Sequence, residues 1–80
     1  MDYSEYIHEH LPQNLIKARN KLGFSQTDVA KAIGKPLRTY QRYEYGERMP
    51  PFDVALAIAH ALETTAEALV DFPPYNEVEE

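Results

Sequence analysis

The sequence predicts an all-α domain of five short helices. Apolar residues recur at helical spacing in two segments, residues 11–22 and 52–62. Glycine and proline stand between the predicted helices, where helices end and begin. No segment shows the alternating pattern of a β-strand, and 80 residues are enough for one domain. We expect an N-terminal extension at 1–10, a helical domain at 11–72 and an extended or disordered acidic tail at 73–80.

The first predicted helix begins near Pro12 and ends at Gly23. Proline suits a first turn because its missing N–H has no partner there, and glycine suits a helix end because it adopts left-handed conformations. A separate turn of helix is expected around residues 4–9. The apolar face of the first helix consists of Leu11, Leu15, Ala18 and Leu22.

The second predicted helix opens with "SQTD" at residues 25–28. This is a capping box, in which Ser25 and Asp28 satisfy free backbone N–H groups. Gly34 closes the helix, and Pro36 begins a third helix that runs to Glu44 or Tyr45. Two helices joined by so short a glycine-bearing turn form a helix-turn-helix.

Two more helices are predicted after "MPP" at residues 49–51. The fourth carries an apolar stripe that we expect to face the core, and the fifth follows a second candidate capping box, "TTAE" at 64–67. The members of the stripe are Phe52, Ala55, Leu56, Ala59 and Leu62.

Charge is distributed unevenly along a chain whose formal net charge is −5. All eight Lys and Arg residues lie between Lys17 and Arg48 with only three acidic residues, a balance of +5, and the other ten acidic residues flank this window. Such asymmetry is typical of a polyanion-binding face on an acidic body. Ordinary charge scatter on solvated helices is the alternative.

The third helix separates its aromatic residues from its cations. At about 100° per residue, Tyr40 and Tyr43 point toward the core, and the opposite face is polar. Arg and Gln read guanine and adenine edges in the major groove, and a tyrosine hydroxyl can contact phosphate. A solvated polar face is the alternative, but the preceding helix and turn favour DNA. The outward residues are Arg38, Gln41, Arg42 and Tyr45.

Residues 15–69 resemble the lambda-repressor-like, Cro-type helix-turn-helix family of phage and bacterial regulators. The matching segments are "LIKARNKLGFSQTDVAKAIG", "TYQRYEYGERMP" and "ALAIAHALETTAEAL". The resemblance implies five helices and binding of double-stranded operator DNA as a homodimer with the helix at 36–45 in the major groove. Apart from the resemblance, we expect no enzymatic activity, because the sequence shows no Ser/His/Asp arrangement, no phosphate-binding glycine loop and no paired-carboxylate signature.

The resemblance also implies individual roles. It pairs Arg19 with Glu44 in a buried structural salt bridge. Base reading is assigned to four residues, of which Leu37 offers only an apolar contact to a thymine methyl: Leu37, Arg38, Gln41 and Arg42. Phosphate contact is assigned to five others: Gln26, Lys35, Thr39, Tyr45 and Arg48.

A dimer surface is expected at the C-terminal end of the domain. Its candidate residues are Leu69, Val70 and Phe72, with Pro73, Pro74 and Tyr75 as further members. The same residues could instead cap the core of the monomer, and the sequence favours neither alternative.

Other classes of function find little support in the sequence. We expect no cofactor, no metal site and no membrane span, because the chain has no cysteine, no phosphate-binding glycine loop and no long apolar run. A cytoplasmic location is expected. A protein-interaction or antitoxin-like module that keeps the fold without binding DNA is the alternative function.

Overall fold

The computed structural model describes residues 2–74, which form five α-helices and no β-strand. The predicted all-α class is therefore confirmed. The helices pack as α1 on α3 and α5, α2 on α3 and α4, and α4 on α5. Their bounds are α1 Tyr3–Leu22, α2 Gln26–Ala32, α3 Leu37–Glu44, α4 Phe52–Ala61 and α5 Ala66–Val70.

Helix α1 begins much earlier than the sequence predicted. Asp2 caps it by accepting a hydrogen bond from the Glu5 backbone N–H at 3.2 Å, and Pro12 lies inside the helix. The expectation that Pro12 occupies the first turn was wrong. Interior proline removes one helix hydrogen bond, but Ile7 packs against the core, so tertiary contact carries the helix through the proline.

The α2–α3 unit follows the predicted local signals. Asp28 N–H donates to Ser25 Oγ at 3.0 Å and Ser25 N–H donates to Asp28 Oδ2 at 2.8 Å, so the first capping box is confirmed. Gly34 has φ +69°, a left-handed conformation that reverses the chain after α2. Lys35 N–H then donates to the Ala30 carbonyl at 3.0 Å. These contacts fix the angle between α2 and α3.

The core lies where the five helices meet. Tyr40 and Tyr43 anchor α3 there, with ring centroids 6.4 Å apart in an edge-to-face arrangement. Their burial confirms that this face of α3 is structural. The buried apolar residues are Leu11, Leu15, Val29, Ala30, Tyr40, Tyr43, Val54, Ile58, Ala59, Leu62 and Leu69.

Helix α4 departs from its predicted orientation at its N-terminal half. Ala59 and Leu62 are buried as expected, but Phe52 is 77% exposed and Leu56 is 46% exposed. The helix is rotated relative to the predicted stripe: Val54 and Ile58 face the core together with Ala59 and Leu62, so Phe52 and Leu56 lie outside the buried face.

The predicted "TTAE" capping box is also shifted. Thr65 caps α5 by accepting from the Ala68 backbone N–H at 3.1 Å, so Thr64 lies one residue outside the cap. Two threonines in succession offer two registers for the cap, and the packing of Leu69 into the core selects the second.

The two ends of the domain are joined by an aromatic clasp, which we define as Tyr3, Tyr6 and Phe72. The Phe72 ring lies 5.5 Å from that of Tyr3 and 5.4 Å from that of Tyr6, measured between centroids. Tyr6 O–H donates to the Asp71 carbonyl at 2.8 Å. Residues 2–10 therefore pack as part of the helical body, whereas residues 75–80 of the predicted tail lie outside the described residues.

Candidate nucleic-acid interface

The outward face of α3 is exposed and carries two arginines. Leu37, Arg38 and Arg42 are exposed, and Tyr45 follows at the C-terminal end of the helix. Within residues 2–74 neither Arg38 nor Arg42 takes part in a side-chain hydrogen bond or salt bridge. Their guanidinium groups are therefore available for bidentate contact with phosphate or with the O6 and N7 atoms of guanine.

The opposite side of α3 fixes the helix on the body. Tyr40, Tyr43 and Glu44 are all buried, so three of its eight residues are anchored. An exposed face on an anchored helix changes little in shape when it meets a rigid ligand, which lowers the entropic cost of binding.

An ion pair joins α3 to α1. Arg19 Nε donates to Glu44 Oε2 at 2.6 Å and Arg19 Nη2 donates to Oε1 at 3.1 Å, a bidentate contact between largely buried side chains. Arg19 Nη1 also donates to the Phe24 carbonyl at 3.0 Å. Arg19 thus links the α1–α2 turn to the end of α3 and is unavailable to DNA.

The ion pair shifts the ionisation of both partners. The hydrogen bond to Glu44 raises the pKa of Arg19 above its ordinary value. Burial opposes ionisation of Glu44, but hydrogen bonds from Arg19 and other neighbours outweigh it and hold the pKa of this carboxyl below its ordinary value. Burial beside this carboxylate also raises the pKa of Tyr40. All three groups keep fixed protonation states near neutral pH.

A chain of hydrogen bonds extends from this ion pair to the surface of α3. Gln26 Nε2 donates to Glu44 Oε1 at 2.9 Å, and Gln41 Nε2 donates to Gln26 Oε1 at 3.2 Å. Because Glu44 accepts only, it determines which end of the Gln26 amide is the oxygen. That oxygen then fixes the Gln41 amide, leaving Gln41 Oε1 as an acceptor without a partner in this chain of contacts.

Sequence reasoning did not find this coupling of Gln26 and Gln41. Both were assigned direct DNA contacts, whereas both are half-buried and hydrogen-bonded to each other. The sequence did contain one signal for this contact, namely a glutamine on each of the two helices of a helix-turn-helix that also carries a carboxylate. Spacing along the chain could not reveal their contact, since it arises from the crossing of α2 and α3.

The remaining predicted phosphate contacts lie around the same face. Lys35 is exposed in the turn between α2 and α3, Thr39 is half-buried, and Arg48 is exposed in the segment after α3. None of the three has a side-chain hydrogen bond within residues 2–74. Together with Arg38 and Arg42 they place several donors around the exposed face of α3.

The predicted dimer residues differ in how far they are exposed to solvent. Leu69 is buried in the core, Val70 is half-buried against it, and Phe72 is held in the aromatic clasp. Asn14 Nδ2 also donates to the Leu69 carbonyl at 2.7 Å. Leu69 therefore closes the core of the monomer, whereas Phe72 is still 39% exposed and stays a candidate for the predicted dimer surface.

Metal-binding clusters and membrane-spanning helices are absent from residues 2–74. Across residues 2–74, no group of three His, Asp or Glu side chains is placed to hold a metal ion. No helix in this part of the chain has the length and apolar character that a bilayer span requires.

Comparison with known proteins places this geometry in a family. A family profile described as helix-turn-helix matches residues 15–69. A protein of Pyrococcus furiosus, whose name describes it by inference as an HTH-type transcriptional regulatory protein, is 30% identical over 79 residues. That alignment covers 84% of this chain but 25% of the relative, so the chain spans about a quarter of the relative's length. The chain belongs to the Cro/C1-type helix-turn-helix family of DNA-binding transcription regulators.

Proposed function

We propose that the protein binds a palindromic operator as a homodimer, with α3 in the major groove, and acts as a repressor of the phage or prophage type. The observation that carries this proposal is the exposed pair Arg38 and Arg42 on an α3 helix whose other face is anchored by Tyr40, Tyr43 and Glu44. Gln41, oriented by Gln26, adds a third polar group to that face.

The acidic character of the whole chain does not prevent this contact. The Debye length is about 8 Å at physiological ionic strength, so the flanking acids act on DNA only weakly from beyond that distance. The basic window from Lys17 to Arg48 carries a balance of +5 and contains the whole of α3. Local attraction at the contact face therefore outweighs long-range repulsion.

Dimerisation follows from the size of one recognition helix. A single α3 of eight residues covers one half-site, and a two-fold pair reads two half-sites about one helical turn apart. A domain bound over a promoter blocks access by occupancy alone, which supports repression.

Selection of duplexes from a random DNA library tests the proposal, with washes at low and then physiological salt. We expect enrichment of a palindrome whose half-sites are about 34 Å apart. Failure to enrich any sequence, with binding lost uniformly as salt rises, would contradict it and leave only a nonspecific electrostatic face. The protein-interaction module that keeps the fold without reading DNA then becomes the leading function.

A further inference from the structure

A groove opens beside the aromatic clasp, at the end of the molecule formed by the start of α1 and by α5. Its volume of about 710 Å³ lies within the range of roughly 300–1,000 Å³ that holds small organic ligands. We call it the clasp groove. Its apolar walls include Tyr3, Phe72, Pro73 and Pro74, and its acidic walls are Glu67 and Asp71.

Neither the family nor the proposed DNA contact accounts for the clasp groove. Among the described residues that line it, none belongs to α2 or α3, so the groove is separate from the exposed face of α3. Most of its walls also lie outside residues 15–69, over which the family profile matches. The groove is thus a feature that this chain adds to the shared domain.

Two aromatic rings of the clasp form one side of the groove. Tyr3 is 51% exposed and Phe72 is 39% exposed although their ring centroids lie 5.5 Å apart, so both rings keep exposed surface where they line the groove. The face of an aromatic ring attracts a cation within about 6 Å of its centroid. Pro73 and Pro74 continue this side with apolar surface. This side therefore suits an apolar ligand body that carries a positive charge.

The two acidic residues of the groove lie one helical turn apart. The Asp71 backbone N–H donates to the Glu67 carbonyl at 2.9 Å, and Tyr6 O–H donates to the Asp71 carbonyl at 2.8 Å, so the backbone at Asp71 is fixed from both sides. Like charges at this spacing repel each other. Within residues 2–74 neither carboxylate takes part in a salt bridge, and no lysine or arginine lines the groove. A cation bound between the carboxylates would remove this repulsion.

We propose that the clasp groove binds an organic cation, namely a small molecule with an ammonium, amidinium or guanidinium group on an apolar body. The positive group lies between the two carboxylates and near the exposed rings, and the apolar body packs on the prolines. Charge complementarity selects this class, because the carboxylates repel an anion and gain no partner from a neutral molecule. The proposal goes beyond DNA binding and does not depend on it.

The size of the groove favours a small molecule over a basic segment of another protein. A protein partner of ordinary size contacts about 20–30 residues on each side, whereas eight residues line this groove. Two rings and two carboxylates around one compact volume are the pattern of a small-ligand site, in which a few polar groups orient a mostly apolar molecule.

Titration of the isotope-labelled full chain with benzamidine, followed by NMR without DNA, tests the proposal. Benzamidine carries an amidinium group on a phenyl ring, and benzamide is its uncharged isostere. We expect benzamidine to shift the backbone signals of the groove residues with a dissociation constant on the order of 1 mM, as for other ligands of this small size. Benzamide should bind at least about tenfold more weakly, because it leaves both carboxylates unpaired.

Asp71→Asn and Glu67→Gln each remove one charge and keep the shape of the side chain. Asparagine also tolerates the left-handed backbone at residue 71, where φ is +59°. Each variant should weaken benzamidine binding at least about threefold and leave benzamide binding unchanged. Glu47→Gln is the matched control, since it removes the same charge from an exposed residue outside the groove and should bind benzamidine like the wild type. Thermal unfolding verifies that every variant is folded.

The proposal is overturned if benzamidine shifts no signal of the groove, or if benzamide binds equally well. Unchanged benzamidine affinity in both Asp71→Asn and Glu67→Gln would likewise show that the carboxylates recognise no cation. A tetralysine peptide that binds the groove more tightly than benzamidine would assign it to a basic segment of another protein. Groove signals that shift with protein concentration alone would assign it to a second copy of the chain, and either result replaces the small ligand.

Discussion

Arg42 and Arg48 carry the same guanidinium group in different positions, and the difference predicts different effects on DNA binding. Arg42 lies on the exposed face of α3, whereas Arg48 lies in the segment that follows it. Arg42→Ala should cost about 1–3 kcal/mol on the selected operator and relax one base position. Arg48→Ala should weaken all sequences similarly and reduce the salt slope by about one.

Fluorescence anisotropy on the operator and on single-base variants measures both effects. Lys17→Ala is the control, because Lys17 is an exposed cation on α1, outside the α2–α3 unit. Uniform loss of affinity across all duplexes in Arg42→Ala would show that Arg42 contacts phosphate and reads no base.

Glu44 makes the free energy of unfolding depend on pH in the acid range. Its pKa is lowered from an ordinary value near 4.5 in the folded state, so the unfolded chain binds more protons below that pH. The stabilisation is complete above about pH 4.5 and is lost as pH falls through the folded-state pKa. Glu44→Gln should therefore lower the free energy of unfolding by about 3 kcal/mol near neutral pH, because it leaves Arg19 without its anion. The same substitution should also reduce the dependence of the free energy of unfolding on pH in the acid range.

Urea unfolding from pH 7 to pH 3 measures this dependence. Glu47→Gln serves as a control because Glu47 is an exposed carboxylate just after the same helix. An acid limb in Glu44→Gln as steep as in wild type would assign it to other carboxylates, of which Asp28 in the capping box is the first candidate since its pKa is also lowered by hydrogen bonds to Ser25.

At the scale of the element, the α2–α3 turn depends on the conformation of Gly34. Its φ of +69° is left-handed, and no atom lies within 4 Å of the position a Cβ would occupy. Gly34→Ala should therefore lower the free energy of unfolding by about 1–2 kcal/mol through backbone strain alone. Gly34→Asn should cost less, because asparagine adopts this conformation more readily.

Chemical denaturation of the two variants provides the measurement. Losses of equal size in Gly34→Ala and Gly34→Asn would show that the cost arises elsewhere than in φ. DNA affinity per folded molecule should change little in both, since the exposed residues of α3 are untouched.

Local sequence signals predicted the ends of the elements better than their faces. The Ser25–Asp28 box and Gly34 act through neighbouring backbone groups, so residues a few positions apart suffice to identify them. Pro12 was misplaced because its cost is overcome by packing of distant residues. Phe52 was assigned to the core because α4 is apolar on several sides, and periodicity alone did not show that Val54 and Ile58 define the buried face.

At the scale of the whole molecule, the aromatic clasp links the start of α1 to the segment after α5. Phe72 contacts both Tyr3 and Tyr6, whereas Phe52 is much more exposed. Phe72→Ala should lower the free energy of unfolding by about 1–3 kcal/mol, and Phe52→Ala should cost less than half as much. Thermal unfolding compares both variants with the wild type, and a Phe72→Ala melting temperature equal to that of the wild type would show that the clasp contributes nothing to stability.

The residues of the candidate interface could be predicted from sequence only where a single helix determines their position. Arg38 and Arg42 could be placed on the exposed face because one helix and its period suffice for that inference. The contact of Gln26 with Gln41 required the crossing of two helices, and the closing of the ends by Phe72 required the whole fold. Sequence reasoning therefore identified the cations of the candidate interface but missed the contacts that orient its amide.

The hydrogen-bond chain from Glu44 through Gln26 to Gln41 limits which substitutions can change the DNA sequence that the protein prefers. A substitution at 41 alone leaves the Gln26 oxygen without its donor, and one at 26 alone releases the amide that α3 presents. Residues 26 and 41 are thus coupled, and libraries that retarget this protein should randomise the two positions together. Arg42 makes no such contact within residues 2–74, so it can be substituted independently of them.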